Sequence, residues 1–137
     1  FAPQGVPGVM NGLSTADFLW NIQCGVILQL AEQGPCVIVG RNADYILKDR
    51  EDVMHVYIRA DTAFKAERIV RLYGEAEKSP EQRLNEKDKR RRVNYQHYTG
   101  RTWGAAQNYE MCLCSSMLGI DQCVKIIVEA VKISQEK

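Results

Sequence analysis

The 137 residues contain no apolar run near the roughly 20 that a bilayer-spanning helix needs, and no basic, apolar, small-residue leader opens the chain. The expectation is a soluble, cytoplasmic protein with no membrane partner. Charge of one sign is not in excess: eighteen Lys and Arg against seventeen Asp and Glu leave +1, which removes the global electrostatic argument for a nucleic-acid or membrane-surface binder. Histidine is scarce. His55 and His97 lie far apart, and Cys112 and Cys114 alternate along an extended run, so no pair has zinc-site spacing. No G-x-S-x-G elbow provides a nucleophile. The five cysteines are odd in number and embedded in apolar runs, which predicts reduced, core-packed thiols rather than a disulfide framework.

What is present alternates in period. The stretch from Phe1 to Gly12, with Pro3, Gly5, Pro7 and Gly8, is turn-rich and unpatterned. Ser14, Thr15 and Asp17 precede an apolar series at helical spacing (Phe18, Leu19, Ile22, Val26, Ile27, Leu30), so a capped helix is expected up to Gly34 and Pro35. Cys36–Val39, between Pro35 and Gly40, reads as a short strand buried on both faces, and 41–47 as a short helix or turn. Val53–Ile58 reads as a second strand. Asp61 or Thr62 caps a helix with Phe64, Ile69, Leu72 and Tyr73 inward and Gly74 as its stop. Ser79, Pro80 and Gln82 open another helix from about 80 to 98, poor in apolar residues. Tyr109–Cys114 is a third strand, Ser115–Gly119 the loop behind it, and Asp121 the cap of a last amphipathic helix. This order predicts a single α/β layered domain, residues 1–137, with parallel strands.

In such folds ligands sit beyond the carboxyl ends of the strands. That rule selects Gly40, Arg41, Asn42 and Asp44 after the first strand, Arg59 and Asp61 after the second, and Ser115, Ser116 and Gly119 after the third. An arginine directly after a strand and a glycine suits bidentate grip of an oxyanion; a salt bridge is the structural alternative for Arg41. The near-neutral total hides a basic segment. Residues 65–92 carry ten basic and six acidic side chains, including Arg68, Arg71, Lys87, Asp88 and Arg90–Arg92. Several arginines converging on one point can neutralise a transferring phosphoryl group. The alternative is a solvated helix laced by Glu86–Arg90 and Asp88–Arg92 pairs. RNA binding through Lys87–Arg92, or base stacking on Tyr95, Tyr98, Trp103 and Tyr109, is a weaker reading than packing and ion pairing.

Three segments together carry a resemblance: PCVIVGRNADYIL (35–47), DKRRRVNYQHYTG (88–100) and WGAAQNYEMCLCSSMLGID (103–121). They resemble the cytidylate kinase-like proteins, relatives of the cytidylate and adenylate kinases. The resemblance implies a P-loop kinase-type three-layer fold with a parallel sheet and a helical lid hairpin at about 74–92. It also implies an ATP-dependent phosphotransferase acting on a small-molecule nucleotide, with ATP and Mg2+ as cofactors. By that resemblance Arg41, Asn42 and Asp44 face the acceptor; the family's cytidylate kinases have an acid where this chain has Asn42. Arg68, Arg71, Asp88 and Arg91 are the catalytic candidates, and Arg68, Ser115, Ser116 and Gly119 lie near the donor nucleotide.

The triphosphate cradle G-x-x-x-x-G-K-[ST] does not occur in these 137 residues. In the family it lies at the amino terminus, on a strand between those corresponding to 36–39 and 53–58. The expectation is therefore an incomplete kinase domain whose central strand lies ahead of Phe1. A non-catalytic nucleotide- or anion-binding module of the same fold is the alternative.

Overall fold

The computed structural model describes residues 9–10 and 12–137, which fall into two compact units, one ending at Val53 and one beginning at Met54. Of the turn-rich opening up to Gly12, residues 1–8 and 11 lie outside the described residues. Among the described residues, no helix is long and apolar enough to cross a membrane.

In the first unit, β1 (Val9–Met10) pairs antiparallel with β2 (Leu13–Ser14), which leads directly into α1 (Thr15–Gln33). The helix begins where the sequence says it should: the Ser14 hydroxyl accepts the Asp17 amide at 3.1 Å, satisfying one of the unpaired first-turn donors. A short helix, α2 (Ala43–Ile46), follows. Ile27 of α1 is buried against Ala43 and Leu47, with Ala31, Ile38, Ile46 and Val53 packed around them. Arg50 ties the end of the unit together through ion pairs to Glu32 and to Asp52.

The expected buried strand at Cys36–Val39 is not formed. The segment is irregular, and Val37 and Val39 are 92% and 87% exposed. Only Ile38 turns inward, onto the Ile27 core. A strand is completed by its neighbours, and among the described residues these four have no ladder partner.

The second unit holds the parallel sheet. β3 (Val56–Arg59) pairs in parallel with β4 (Met111–Cys114), in register from Val56 opposite Met111 to Arg59 opposite Cys114. The strand expected from Val53 starts three residues later and takes in Arg59. The connection between the two strands carries α3 (Thr62–Tyr73), α4 (Pro80–Thr99) and one 3₁₀ turn (Ala106–Asn108). α4 opens on the anticipated capping box: the Ser79 hydroxyl accepts the Gln82 amide, and the Gln82 side chain accepts the Ser79 amide. Tyr95, only 1% exposed, anchors this otherwise polar helix.

Several local expectations change. Ser115–Leu118 is a one-turn helix, α5, rather than a loop, and α6 (Ile120–Gln135) is entered through Gly119, with Asp121 inside its first turn. Leu72 and Tyr73 are 52% and 70% exposed rather than inward; Ala66 and Ile69 carry the buried face of α3. All five cysteines are free, as expected, but Cys123 alone is buried and Cys36 and Cys112 are exposed. The helical pairs Glu86–Arg90 and Asp88–Arg92 do not close into salt bridges, although the Arg90 charge still acts on Glu86: Glu86 bonds Lys78, and Asp88 bonds Lys65 and Arg91. Lys78 and Lys65 reach those carboxylates from neighbouring segments, and Arg91 reaches Asp88 from one turn on in α4.

Candidate functional site

The carboxyl end of β3 opens into two adjoining cavities of the second unit. The larger, about 500 Å³, has apolar walls from α3, α4 and α6, including Phe64, Leu72, Leu84 and Ile127, and cations Arg59, Lys65, Arg68, Lys87 and Arg91 on its lining. The smaller, about 350 Å³, is a charged recess lined by Arg59, Lys65, Arg91 and Arg92 together with the single carboxylate of Asp88, with Tyr57 and Trp103 as aromatic lining. Arg59, Lys65 and Arg91 line both. The arrangement follows from topology, because parallel strands end on one side and their connections gather there.

Asp88 organises the charge. Lys65 of α3 donates to one of its oxygens at 2.8 Å, and Arg91, three residues on along α4, donates to the other at 3.0 Å. The Asp88 side chain is 17% exposed, whereas Lys65 and Arg91 keep 35% and 60% of theirs. A carboxylate this enclosed needs its cations more than a surface pair does, since surface pairs contribute only about 0–1 kcal/mol.

Tyr57 supports the recess from β3. Trp103 meets it edge-on at 5.7 Å and Tyr109 packs at 5.0 Å. Burial, with the Asp88 charge behind it, pushes the Tyr57 phenol above its ordinary range. The W-G and N-Y motifs thus supply a packed aromatic floor.

Of the expected site residues, Arg68, Asp88, Arg91 and Ser115 come together around these cavities. Arg71 lies exposed in the last turn of α3. The Ser115 hydroxyl donates to the Arg59 carbonyl at 3.2 Å, and the Ser116 hydroxyl accepts the Asp61 amide at 3.1 Å, so the two serines tie the start of α5 to the end of β3 and the turn after it. Ser116 also contacts the Cys114 thiol at 3.2 Å and holds it below its ordinary range. Gly119, at φ 83°, links α5 to α6.

Arg41, Asn42 and Asp44 belong to the first unit. Gly40, Arg41 and Asn42 form three successive left-handed residues (φ 69°, 59° and 56°), and the Gln23 side-chain amide donates to the Arg41 carbonyl at 2.7 Å. Non-glycine residues pay for this conformation, so two in succession mark a constrained turn. The salt bridge considered for Arg41 does not form with any described residue.

Arg59 is marked by its place after a strand, whereas Lys65 stands in no motif. Its signal was there: Lys65 stands one turn before Arg68 on the face that also carries Ile69 and Leu72.

A family model described as the cytidylate kinase-like family matches residues 4–117, most of the chain. The chain belongs to the cytidylate kinase-like family. No curated protein matches it. Among solved structures it is similar to the crystal structure of an uncharacterized protein from Eubacterium ventriosum ATCC 27560, at TM-score 0.79 and 26% identity over 85% of this chain and 73% of that one. Family membership suggests a kinase-like, nucleotide-binding role, and the α/β character with a parallel sheet agrees with it.

Proposed function

We propose that this cytidylate kinase-like protein is a nucleotide kinase that transfers the γ-phosphoryl group of ATP to a nucleoside monophosphate or a similar small acceptor. The observation that carries the reading is the pairing of an apolar cavity with a cation-rich recess across Arg59, Lys65 and Arg91. A nucleotide has that same polarity, a flat base at one end and phosphates at the other.

The cleft residues fit an ATP-like donor. Apolar walls accept a base, and Arg68 and Lys87 lie on the same lining for its phosphates. They do not fit a Mg2+ site of their own, because the one carboxylate of the cleft, Asp88, is already engaged by two cations. ATP brings the γ-phosphoryl group; its bond to the leaving oxygen breaks as a bond to the acceptor oxygen forms, yielding ADP and the phosphorylated acceptor.

The chain's own residues contribute positioning and charge. Arg91, held beside Asp88 in the free protein, and Arg68 meet the negative charge that develops on the phosphoryl oxygens. Arg71 joins them through closure of the hairpin at 74–92, the lid in this reading. Ser115, Ser116 and Gly119 border the donor base. Arg41, with Asn42 and Asp44 beside it, takes the acceptor's phosphate; among the described residues no carboxylate forms a salt bridge with Arg41.

The test is direct. The protein with Mg2+ and ATP is offered each common nucleoside monophosphate, and ADP and nucleoside diphosphate are quantified by chromatography. Stoichiometric formation of both supports the kinase. Saturable nucleotide binding without either product replaces it with a binding module.

A further inference from the structure

We propose that Lys65 is an anion-gripping residue of the cleft and that Asp88 is its exchangeable counter-ion, standing in the recess where a phosphate oxygen of a bound ligand stands. The inference deepens the nucleotide reading and rests on it for the identity of the phosphate.

The geometry is that of an occupied anion site. Each Asp88 oxygen takes one cation, Lys65 from α3 and Arg91 from α4, at 2.8 and 3.0 Å. Two oxygens of a phosphate dianion make the same demand of two cations. The cations are not exhausted by the carboxylate. An ammonium has three donors and a guanidinium five, and each gives one to Asp88.

Placement points the same way. Lys65 and Arg91 line both cavities, whereas Asp88 lines the smaller alone. The cations therefore present surface to the larger cavity that the carboxylate does not cover. Around the smaller, four cationic side chains face one acid, leaving a surplus of positive charge. Lysine suits such an exchange because its ammonium rides on a flexible stem and can follow a better anion. In the free protein Asp88 keeps the two cations gathered across α3 and α4; a phosphate then competes for them with more charge.

Inorganic pyrophosphate is the probe, its affinity measured by calorimetry at fixed ionic strength on the protein and on Lys65→Met, Lys65→Arg and Asp88→Asn. Losing a charge-assisted bond lowers affinity about tenfold or more, so Lys65→Met should weaken binding to that extent and Lys65→Arg by less than about threefold. Asp88→Asn should bind about threefold or more tighter, because the internal competitor is neutralised. A residue with a merely structural role would move melting temperature without that gain. Absence of pyrophosphate binding, unchanged affinity in a folded Lys65→Met, or binding by Asp88→Asn no tighter than the parent overturns the proposal. If Lys65→Met does not fold, Asp88→Asn and Lys65→Arg decide it. Pyrophosphate bound through Lys65 without ADP formation would remove the kinase and leave this site. A working kinase indifferent to Lys65 would do the reverse.

Discussion

A β-carbon placed on Gly104 would stand 2.8 Å from the Tyr57 hydroxyl and 3.0 Å from the ring carbon that bears it. Gly104 also has φ 78°, so both space and backbone require glycine there. Gly104→Ala should destabilise the protein by about 1–3 kcal/mol in urea denaturation. Tyr57→Phe removes the nearest atom, and the same alanine should cost less in that background. A full, undiminished cost would show that the backbone alone is responsible.

Arg91→Ala is expected to leave the protein folded, because Lys65 still answers Asp88, although the loss should exceed that of a surface pair, about 0–1 kcal/mol. Removing a cation from the transferring phosphoryl group should lower kcat/KM by about a hundredfold. Steady-state kinetics beside a melting curve separates the two effects. Normal turnover in both Arg91→Ala and Arg68→Ala would remove the catalytic assignment.

Arg41 offers a different separation of stability from function. Glycine adopts its left-handed conformation at no steric cost, so Arg41→Gly should match or exceed the parent's stability by up to about 1 kcal/mol. Acceptor binding should fall with the guanidinium. Gln23→Leu, which deletes the amide donor to the Arg41 carbonyl, should lower stability and acceptor affinity together. Acceptor affinity equal to the parent's in Arg41→Gly would place the acceptor elsewhere.

The Arg50–Asp52 pair should show itself in pH dependence. The Arg50 side chain, hydrogen-bonded to Asp52, holds that carboxyl below its ordinary 3.8. A carboxylate with a depressed folded-state value adds stability above the unfolded-state value and loses it as pH falls through the folded one. Arg50→Met should therefore be less stable than the parent at neutral pH, and the gap should narrow as pH falls below the ordinary carboxylate value and through the depressed one. Equal gaps at both ends, measured by chemical denaturation, would mean that packing rather than charge is responsible.

Much of the local structure was legible because its causes lie within a few residues. Ser14 and Ser79 start their helices with their own hydroxyls, and Gly74 and Gly100 stop theirs. The segments at 35–47, 88–100 and 103–121 were enough for the family. The strand expected at Cys36–Val39 failed for the opposite reason. Its apolar, branched residues satisfy a strand's composition, but a ladder needs a partner that no local pattern supplies. Packing was the expected role of Trp103 and Tyr109, but their partner was hidden, because Tyr57 comes from a strand far back in the chain.

Residue order alone settled where helices begin and end, which segments are basic, and to which family the chain belongs, since capping, periodicity and motif spacing are short-range properties. Folding in three dimensions decided that Asp88 answers Lys65 rather than Arg92, that Arg59, Lys65 and Arg91 share two cavities, and that Gly104 must lack a side chain. Those facts depend on which distant segments are brought within a few ångströms, and contact and Coulomb forces act on distance in space rather than on distance along the chain.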